Sequence, residues 1–440
     1  MLKAGFSRVD VTPSYGMYVA GYFENRFAEK ILDPIYLNAI AISDCDDTAL
    51  IIAADFLGMK ESFLTPLRNK IAEFVGIKPS NIIISSLHQH TSIHIPIVAG
   101  KDPFLDRTYF DMLNYKFCDV AKMAIDDMSE ATLRLAEQET AMQIAFIRRF
   151  RMLDGSIMNR PSPEIKDQID HCLGEPDNTV RVLRFVREDK NDIAMVNFST
   201  HPDVIGGSLV SADWPGFTRT YVEADLRGVS CILINGTQGD SSHTTPYREN
   251  RGVIGTGLNH SKHMGRVIAD TVKEIWDKTE PCGDVKINCS VEFLYQKIRT
   301  DGAEYYDECV EKLDAIKNNI PLPAGALDHV GGAGGAGRIV KMRNESFFKK
   351  VPISVISLGK INFVGFGGEP FMHYAAAVRE ALPEKYIIAL CCANGHEGYL
   401  PTESALTEIG GYEANASPFQ PTLEAECVNM AVNIIKAFNK

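Results

Sequence analysis

The chain has 440 residues, 45% hydrophobic and 23% charged, with 34 glycines, 21 prolines and 10 cysteines. This composition is globular and excludes a disordered, collagen-like or disulfide-stapled protein. A formal charge of -12 disfavours a broad nucleic-acid or anionic-membrane surface, and no run approaches the ~20 apolar residues that span a bilayer.

The first ten residues, Met1 to Asp10, carry neither the apolar core nor the cleavage site of a signal peptide and read as a first strand. An apolar run at 49–54 comes next, followed by apolar residues three and four apart that predict a helix over 61–75. A second run, 82–84, leads into Ser86-Leu87-His88-Gln89-His90, and helical spacing returns at 109–128. The run 193–198 leads to Thr200-His201-Pro202-Asp203. Asp213 before Trp214-Pro215 reads as a helix start, since proline favours the first helical turn. The run 231–234 leads to Thr237-Gln238-Gly239-Asp240-Ser241-Ser242-His243, where Gly239-Asp240 reads as a tight turn.

Helices are predicted over 262–277 and 303–318. The glycine-rich stretch 321–337 lacks the ending of a phosphate loop, and is expected to be a flexible loop over a site or a surface excursion. Two more runs follow. Residues 361–366 lead to Gly367-Gly368-Glu369-Pro370, and 386–392 lead to Asn394-Gly395-His396-Glu397-Gly398-Tyr399. A helix over 422–438 closes the pattern.

Runs with so little alternation read as strands buried on both faces. Their alternation with helices predicts an α/β fold, a buried mixed sheet covered by helices. No Pro/Ser/Gly linker divides the chain, so 1–440 is expected to be one domain. Five strand exits carry His, Asp, Glu, Ser or Tyr, and ligands of open α/β sheets bind beyond the carboxyl ends of strands. In extended backbone His88 and His90 face the same way, so both could hold one metal, one could hold it while the other meets substrate, or the two could be a structural pair. His201 and Glu369 at equivalent exits favour a metal site at the carboxyl ends of the strands. His243 and His396 stand in exit loops. His94, His171, His260, His263, His329 and His373 are expected to be surface or satisfied structural residues. There is no Cys-x-x-Cys, and the cysteine usage reads as that of a cytoplasmic protein.

Several motifs together resemble the neutral, non-lysosomal ceramidases, zinc-dependent amidases of sphingolipid metabolism. They are Arg8-Val9-Asp10-Val11-Thr12-Pro13, His88-Gln89-His90, Asn159-Arg160, Asn197-Phe198-Ser199-Thr200-His201-Pro202, Asp213-Trp214-Pro215-Gly216, Gly239-Asp240-Ser241-Ser242, Gly368-Glu369-Pro370 and Tyr412-Glu413. The resemblance implies Zn2+ on His88, His201 and Glu369, with Tyr399 as fourth ligand. It places His90, Arg160 and Tyr412 beside the scissile amide, and Ser242 as a hydroxyl lining the site. The implied reaction is amide hydrolysis by attack of metal-bound water, with His90 or Tyr412 donating to the oxyanion or leaving amine and Arg160 holding a substrate oxygen.

The sequence also differs from that family. Thr91-Ser92-Ile93-His94-Ile95-Pro96 replaces the usual small-residue continuation after His-x-His, and Pro161-Ser162-Pro163 follows Arg160. The C-terminal β-domain of longer ceramidases is expected to be absent. The expected partner is a lipid-amide or small-molecule substrate, with neither nucleic acid nor stable membrane insertion. Two other readings stay open: the same metal site acting on a small polar or sugar-derived substrate, and a non-catalytic binding protein on this scaffold.

Overall fold

Strands β1 (Lys3–Asp10), β2 (Tyr36–Ser43), β3 (Thr48–Ala54), β4 (Ile82–Ser86), β5 (Ser129–Glu139), β6 (Thr179–Arg187), β7 (Asp192–Phe198) and β8 (Val229–Asn235) build the larger of two mixed sheets. Its order is β8-β7-β6-β5-β1-β2-β3-β4, with the short strand Glu280–Pro281 added beside β5. The smaller sheet runs β9 (Ile287–Lys297), β10 (Phe348–Leu358), β11 (Ile361–Phe366) and β12 (Tyr386–Leu390) in that order. Parallel pairing is confined to β3/β4, β7/β8 and β11/β12 in these sheets. This computed structural model describes residues 1–96, 100–247, 255–343, 347–408 and 410–438.

Side-chain alternation along the strands shows how the layers stack. In β3, Ala49, Ile51 and Ala53 enter a core shared with Ile361 and Phe363 of β11 and with Ile388 and Leu390 of β12. The alternate residues Leu50, Ile52 and Ala54 face Leu64, Leu67 and Ile71 of α1 (Glu61–Val75) and Leu113 and Phe117 of α2 (Pro103–Asp126). In β11, Val364 and Phe366 turn the other way, against Tyr374 and Val378 of one helix and Leu423 and Cys427 of another. The apolar runs read from the sequence are buried on both faces, as predicted, whereas β5 and β9 are not. One of the two covers is the other sheet rather than a helix layer. An apolar run records that both faces are covered but not by what. Residues of the two sheets thus share one apolar core.

The helix at 61–75 stands where the periodicity put it. The second begins earlier than expected, at Pro103, because Asp102 caps it by accepting the N–H groups of Phe104 (2.9 Å) and Leu105 (3.3 Å). Asp213 opens α3 (Asp213–Asp225) as anticipated, and its carboxylate accepts the N–H groups of Trp214, Val204 and Ile205. Beyond α4 (Gly257–Ile275) and α5 (Tyr306–Lys317), the structure overturns the reading of the glycine-rich stretch as a loop. Residues 332–337 begin helix α6 (Gly332–Met342). A Cβ at Gly334 would stand 2.8 Å from the Tyr412 ring and 3.2 Å from Ala416, so the small residues allow close approach of α6 to the short helix Tyr412–Ala416. The helices over the smaller sheet are α7 (Met372–Ala381) and α8 (Leu423–Ala437).

The two sheets meet at the carboxyl ends of their parallel strands. Asn394, just beyond β12, accepts the Ile84 N–H (3.0 Å) and donates to the Ile82 carbonyl (3.1 Å) of β4 and to Ser354 Oγ (2.8 Å) of β10. Its side-chain amide therefore serves as a peptide group between sheets. Replacing Asn394 with Leu orphans these buried groups and should cost about 1–3 kcal/mol. The expected outcome is a lower urea midpoint with an unchanged m-value; an unchanged midpoint would show that the sheets are held without it.

Candidate metal centre

His88 follows β4 in a left-handed conformation, φ 75°. Its Nδ1 lies 2.7 Å from the Leu57 carbonyl, which can only accept, so Nδ1 donates and Nε2 is the nitrogen turned to the centre. Gln89 points away, donating to Asp55 (3.0 Å) and the Ala212 carbonyl (3.3 Å). Asp55 is itself gripped by both terminal nitrogens of buried Arg219, at 2.9 and 2.6 Å. The middle residue thus anchors the segment while the two flanking histidines face the opposite side. His90 sets its Nε2 3.3 Å from His88 Nε2, and its backbone N–H binds the Pro202 carbonyl at 3.1 Å. Burial, reinforced by His88, lowers the pKa of His90 to about 3.

His201 leaves the neighbouring strand end of β7. Its N–H binds Ser241 Oγ (3.0 Å), and its Nδ1 lies 3.2 Å from the Gln238 carbonyl, leaving Nε2 for a ligand. Burial pulls this imidazole well below its ordinary pKa. Glu369 is fixed in a two-residue parallel pairing whose register sets it directly opposite Tyr399. Its Oε2 lies 3.1 Å from His88 Nε2 and 3.8 Å from His201 Nε2. Burial acts to raise the Glu369 pKa, but His88 and His396 outweigh it and hold the carboxyl well below its usual range.

This donor set fits a divalent metal. Glu369 Oε2 and His201 Nε2 are buried with no hydrogen-bond partner among the described residues. They converge with a third lone pair, that of His88, at spacings close to the roughly 3.3 Å between tetrahedral ligands about 2.0 Å from zinc. His90 belongs to the same group, since ligand atoms of His88, His90 and His201 lie within 4.8 Å of one another. A second such group joins His88, Cys392 and His396. It is less suited, because Cys392 Sγ approaches His88 Nδ1 (3.9 Å), the nitrogen already committed to Leu57.

The other sequence-predicted residues frame this centre. The Tyr399 hydroxyl accepts from Arg148 Nη2 at 3.1 Å. Tyr412 meets the Tyr399 ring edge-on at 5.7 Å, and its phenol is pushed up to about 12 by burial and then by Glu369. Arg160, at φ 47°, comes from the loop after the strand Ile157–Asn159 and donates from Nη2 to Asp203 Oδ2 at 2.5 Å. The other Asp203 oxygen lies 3.1 Å from His243 Nδ1. Ser242 meets Thr244 through both Oγ1 and the backbone N–H, each at 3.1 Å; no described hydrogen bond joins it to a histidine.

Three further residues belong here, of which sequence reasoning gave Arg148 no role, Glu413 only a place in the Tyr412-Glu413 motif and His396 only a place in an exit loop. Arg148 is buried and binds Glu413 Oε1 (2.5 Å), the Gly239 carbonyl (2.8 Å) and Tyr399. Its signal was a pair of arginines, Arg148-Arg149, inside the apolar run from Ala145 to Phe150. Glu413, fully buried, also accepts from Asn159 Nδ2 at 2.6 and 2.7 Å. His396 lies 2.9 Å from Glu369 Oε1. His94, expected at the surface or in a satisfied structural role, packs on the His396 ring at 5.5 Å.

No family model matches the sequence, and no curated protein matches it. Solved structures do share the fold. Neutral ceramidase from Pseudomonas aeruginosa aligns with a TM-score of 0.74 at 14% identity, over 99% of this chain and 74% of that one. A ceramidase complexed with C2 aligns with a TM-score of 0.70, also at 14% identity, over 100% of this chain and 75% of that one. The resemblance read from scattered motifs is therefore a resemblance of the whole fold, and the chain has the α/β architecture of the neutral ceramidases.

Proposed function

We propose that this protein is a zinc-dependent amidohydrolase that cleaves an N-acyl bond. The observation that carries this reading is the convergence of His88 Nε2, His201 Nε2 and Glu369 Oε2, two of them without a hydrogen-bond partner among the described residues. In this reading His88, His201 and Glu369 hold the metal, with Tyr399 as fourth ligand. A divalent ion held there would supply Lewis-acid polarisation of an amide carbonyl and a lowered pKa for water.

The chain's own residues supply the rest. Water is the nucleophile, because Ser242 turns its hydroxyl to Thr244 and has no described base. Oxygen adds to the carbonyl carbon, the C–N bond breaks, and a proton passes to the leaving amine. Tyr412, with its phenol pKa pushed up to about 12, stays protonated at neutral pH and donates to the developing oxyanion. His90, kept neutral by burial, can donate an N–H to the oxyanion or the leaving amine beside it. Arg160 is aimed by Asp203, which occupies Nη2 and leaves its remaining N–H groups for a substrate oxygen.

Ceramidase neighbours favour a lipid amide. The partly exposed Arg160, paired with Asp203, favours a smaller polar one. Among the described residues no helix is long and apolar enough to cross a membrane. The reading keeps the cytoplasmic setting expected from cysteine usage.

Elemental analysis of the native protein should find about one divalent ion per chain. His201→Ala should lose it, with activity falling by more than the roughly 10–100-fold that loss of an outer-sphere partner costs. A metal-free native protein that still hydrolyses N-acyl amides would refute this reading.

Arg160→Lys keeps the charge but loses the planar fork, and should lower kcat/KM by roughly 10–100-fold. Asp203→Asn should fall in the same direction by freeing the guanidinium. Wild-type kinetics in both variants would make Arg160 a surface residue. Competition between a long-chain ceramide and short or sugar-linked amides then decides the substrate. A higher kcat/KM for the polar amides is expected; preference for the ceramide together with liposome binding would favour the lipid.

A further inference from the structure

We propose that His396 is a positioning residue for the Glu369 carboxylate and that it sets the affinity of this centre for its metal; the inference rests on Glu369 being a ligand. The two oxygens of Glu369 have different surroundings. Oε2 faces His88 and His201, at 3.1 and 3.8 Å, whereas Oε1 faces His396 Nε2 at 2.9 Å. A carboxylate only accepts hydrogen bonds, so His396 Nε2 carries the proton and donates it. Donation to one oxygen fixes the carboxylate's rotation and leaves the other turned to the two imidazole lone pairs.

The ring has little freedom to do anything else. It is wedged between the rings of His88 (5.2 Å between centroids) and His94 (5.5 Å). Its back meets Gly58, where a Cβ would stand 2.0 Å from His396 Nδ1. Gly58 is held in parallel register with His94, and the preceding residue, Leu57, offers the carbonyl that orients His88. Residues 57 and 58 therefore form one wall against which both rings are set. His396 Nδ1 faces that wall and has no hydrogen-bond partner among the described residues. The ring's single donor is thus spent on Glu369.

The test measures metal affinity by chelator competition in the wild type and in His396→Leu and His396→Gln, together with the visible spectrum of the cobalt-loaded proteins. Leucine approximates the ring's bulk and removes the donor, whereas glutamine keeps an N–H within reach of Oε1. His396→Leu should bind metal about 10–100-fold more weakly. His396→Gln should stay within about threefold of wild type, with an unchanged cobalt spectrum. Should His396→Leu fail to fold, the glutamine variant alone decides: weakened affinity or an altered spectrum would make His396 itself a ligand and overturn the proposal. A leucine variant that binds as tightly as wild type would overturn it too, while leaving the metal reading intact. Wild-type protein that takes up no metal would remove the metal reading, and this inference with it.

Discussion

Backbone groups at the ends of buried strands must find partners, and here the two sheets end against each other where no regular ladder can continue. Buried asparagines supply the missing partners. Asn394 bonds into β4 and β10, Asn197 donates to the carbonyls of Ile234 and Ala389, and Asn235 donates to those of Leu87 and Thr200. Each side-chain amide substitutes for a peptide group, so four strand ends are drawn to one place. His88, His201, Glu369 and His396 all lie within a few residues of a strand end in this region. The crowding also bends the chain. Of seven non-glycine residues with positive φ among those described, His88, Arg160, Asp213, Cys392 and Asn394 belong to this region. Such conformations cost of order 1–3 kcal/mol each and persist only where the surroundings over-determine them.

Charge pairing then distinguishes the carboxylate of the proposed metal centre from its neighbours. Three buried carboxylates surround the centre. Glu413 is met by Arg148, and Asp203 by Arg160. Glu369 instead faces imidazoles: His88, His201 and His396. Burial pulls His201 well below its ordinary pKa and lowers that of His396. A buried carboxylate left uncompensated is costly. Arg148 cannot be spared, because it already holds Glu413, the Gly239 carbonyl and Tyr399. In the proposed reading a divalent cation would be met by both this carboxylate and the ring nitrogens that converge on it.

Much of this was legible in the sequence because strand ends are local features. Apolar runs located β4, β7 and β11, and the polar residues after them supplied His88, His201 and Glu369. What a strand packs against is not local. The pattern at 361–366 is the same whether Phe363 meets a helix or, as here, Ile51 and Ile388 of the shared core. The glycine-rich stretch misled for a related reason. Glycine disfavours a helix in isolation, yet α6 forms because its small residues let it approach Tyr412 and Ala416. Arg148 lay hidden because a buried arginine is explained only by its partner, and Glu413 stands 265 residues away in the chain. His396 was visible as an exit-loop histidine, but its attachment to Glu369 depends on how two loops meet.

That separation in sequence has a structural counterpart. Glu413 receives Arg148 on one side and Asn159 on the other, while Asn159 Oδ1 accepts the Tyr412 N–H at 2.7 Å. Arg148 reaches on to the Tyr399 hydroxyl, and Tyr399 stands opposite Glu369 in the parallel pairing. Arg160 follows Asn159 directly. One buried carboxylate therefore ties together the segment carrying Arg160, the residue carrying the Tyr412 phenol and the partner strand of Glu369. The proposed oxyanion donor, substrate clamp and metal ligand come from different stretches of chain, and the proposed reaction would require them to keep their spacing to within a fraction of an ångström. Hydrogen bonds to a charged group resist displacement better than neutral ones. A fully buried glutamate with an arginine and an asparagine on it is a stiff way to keep that spacing.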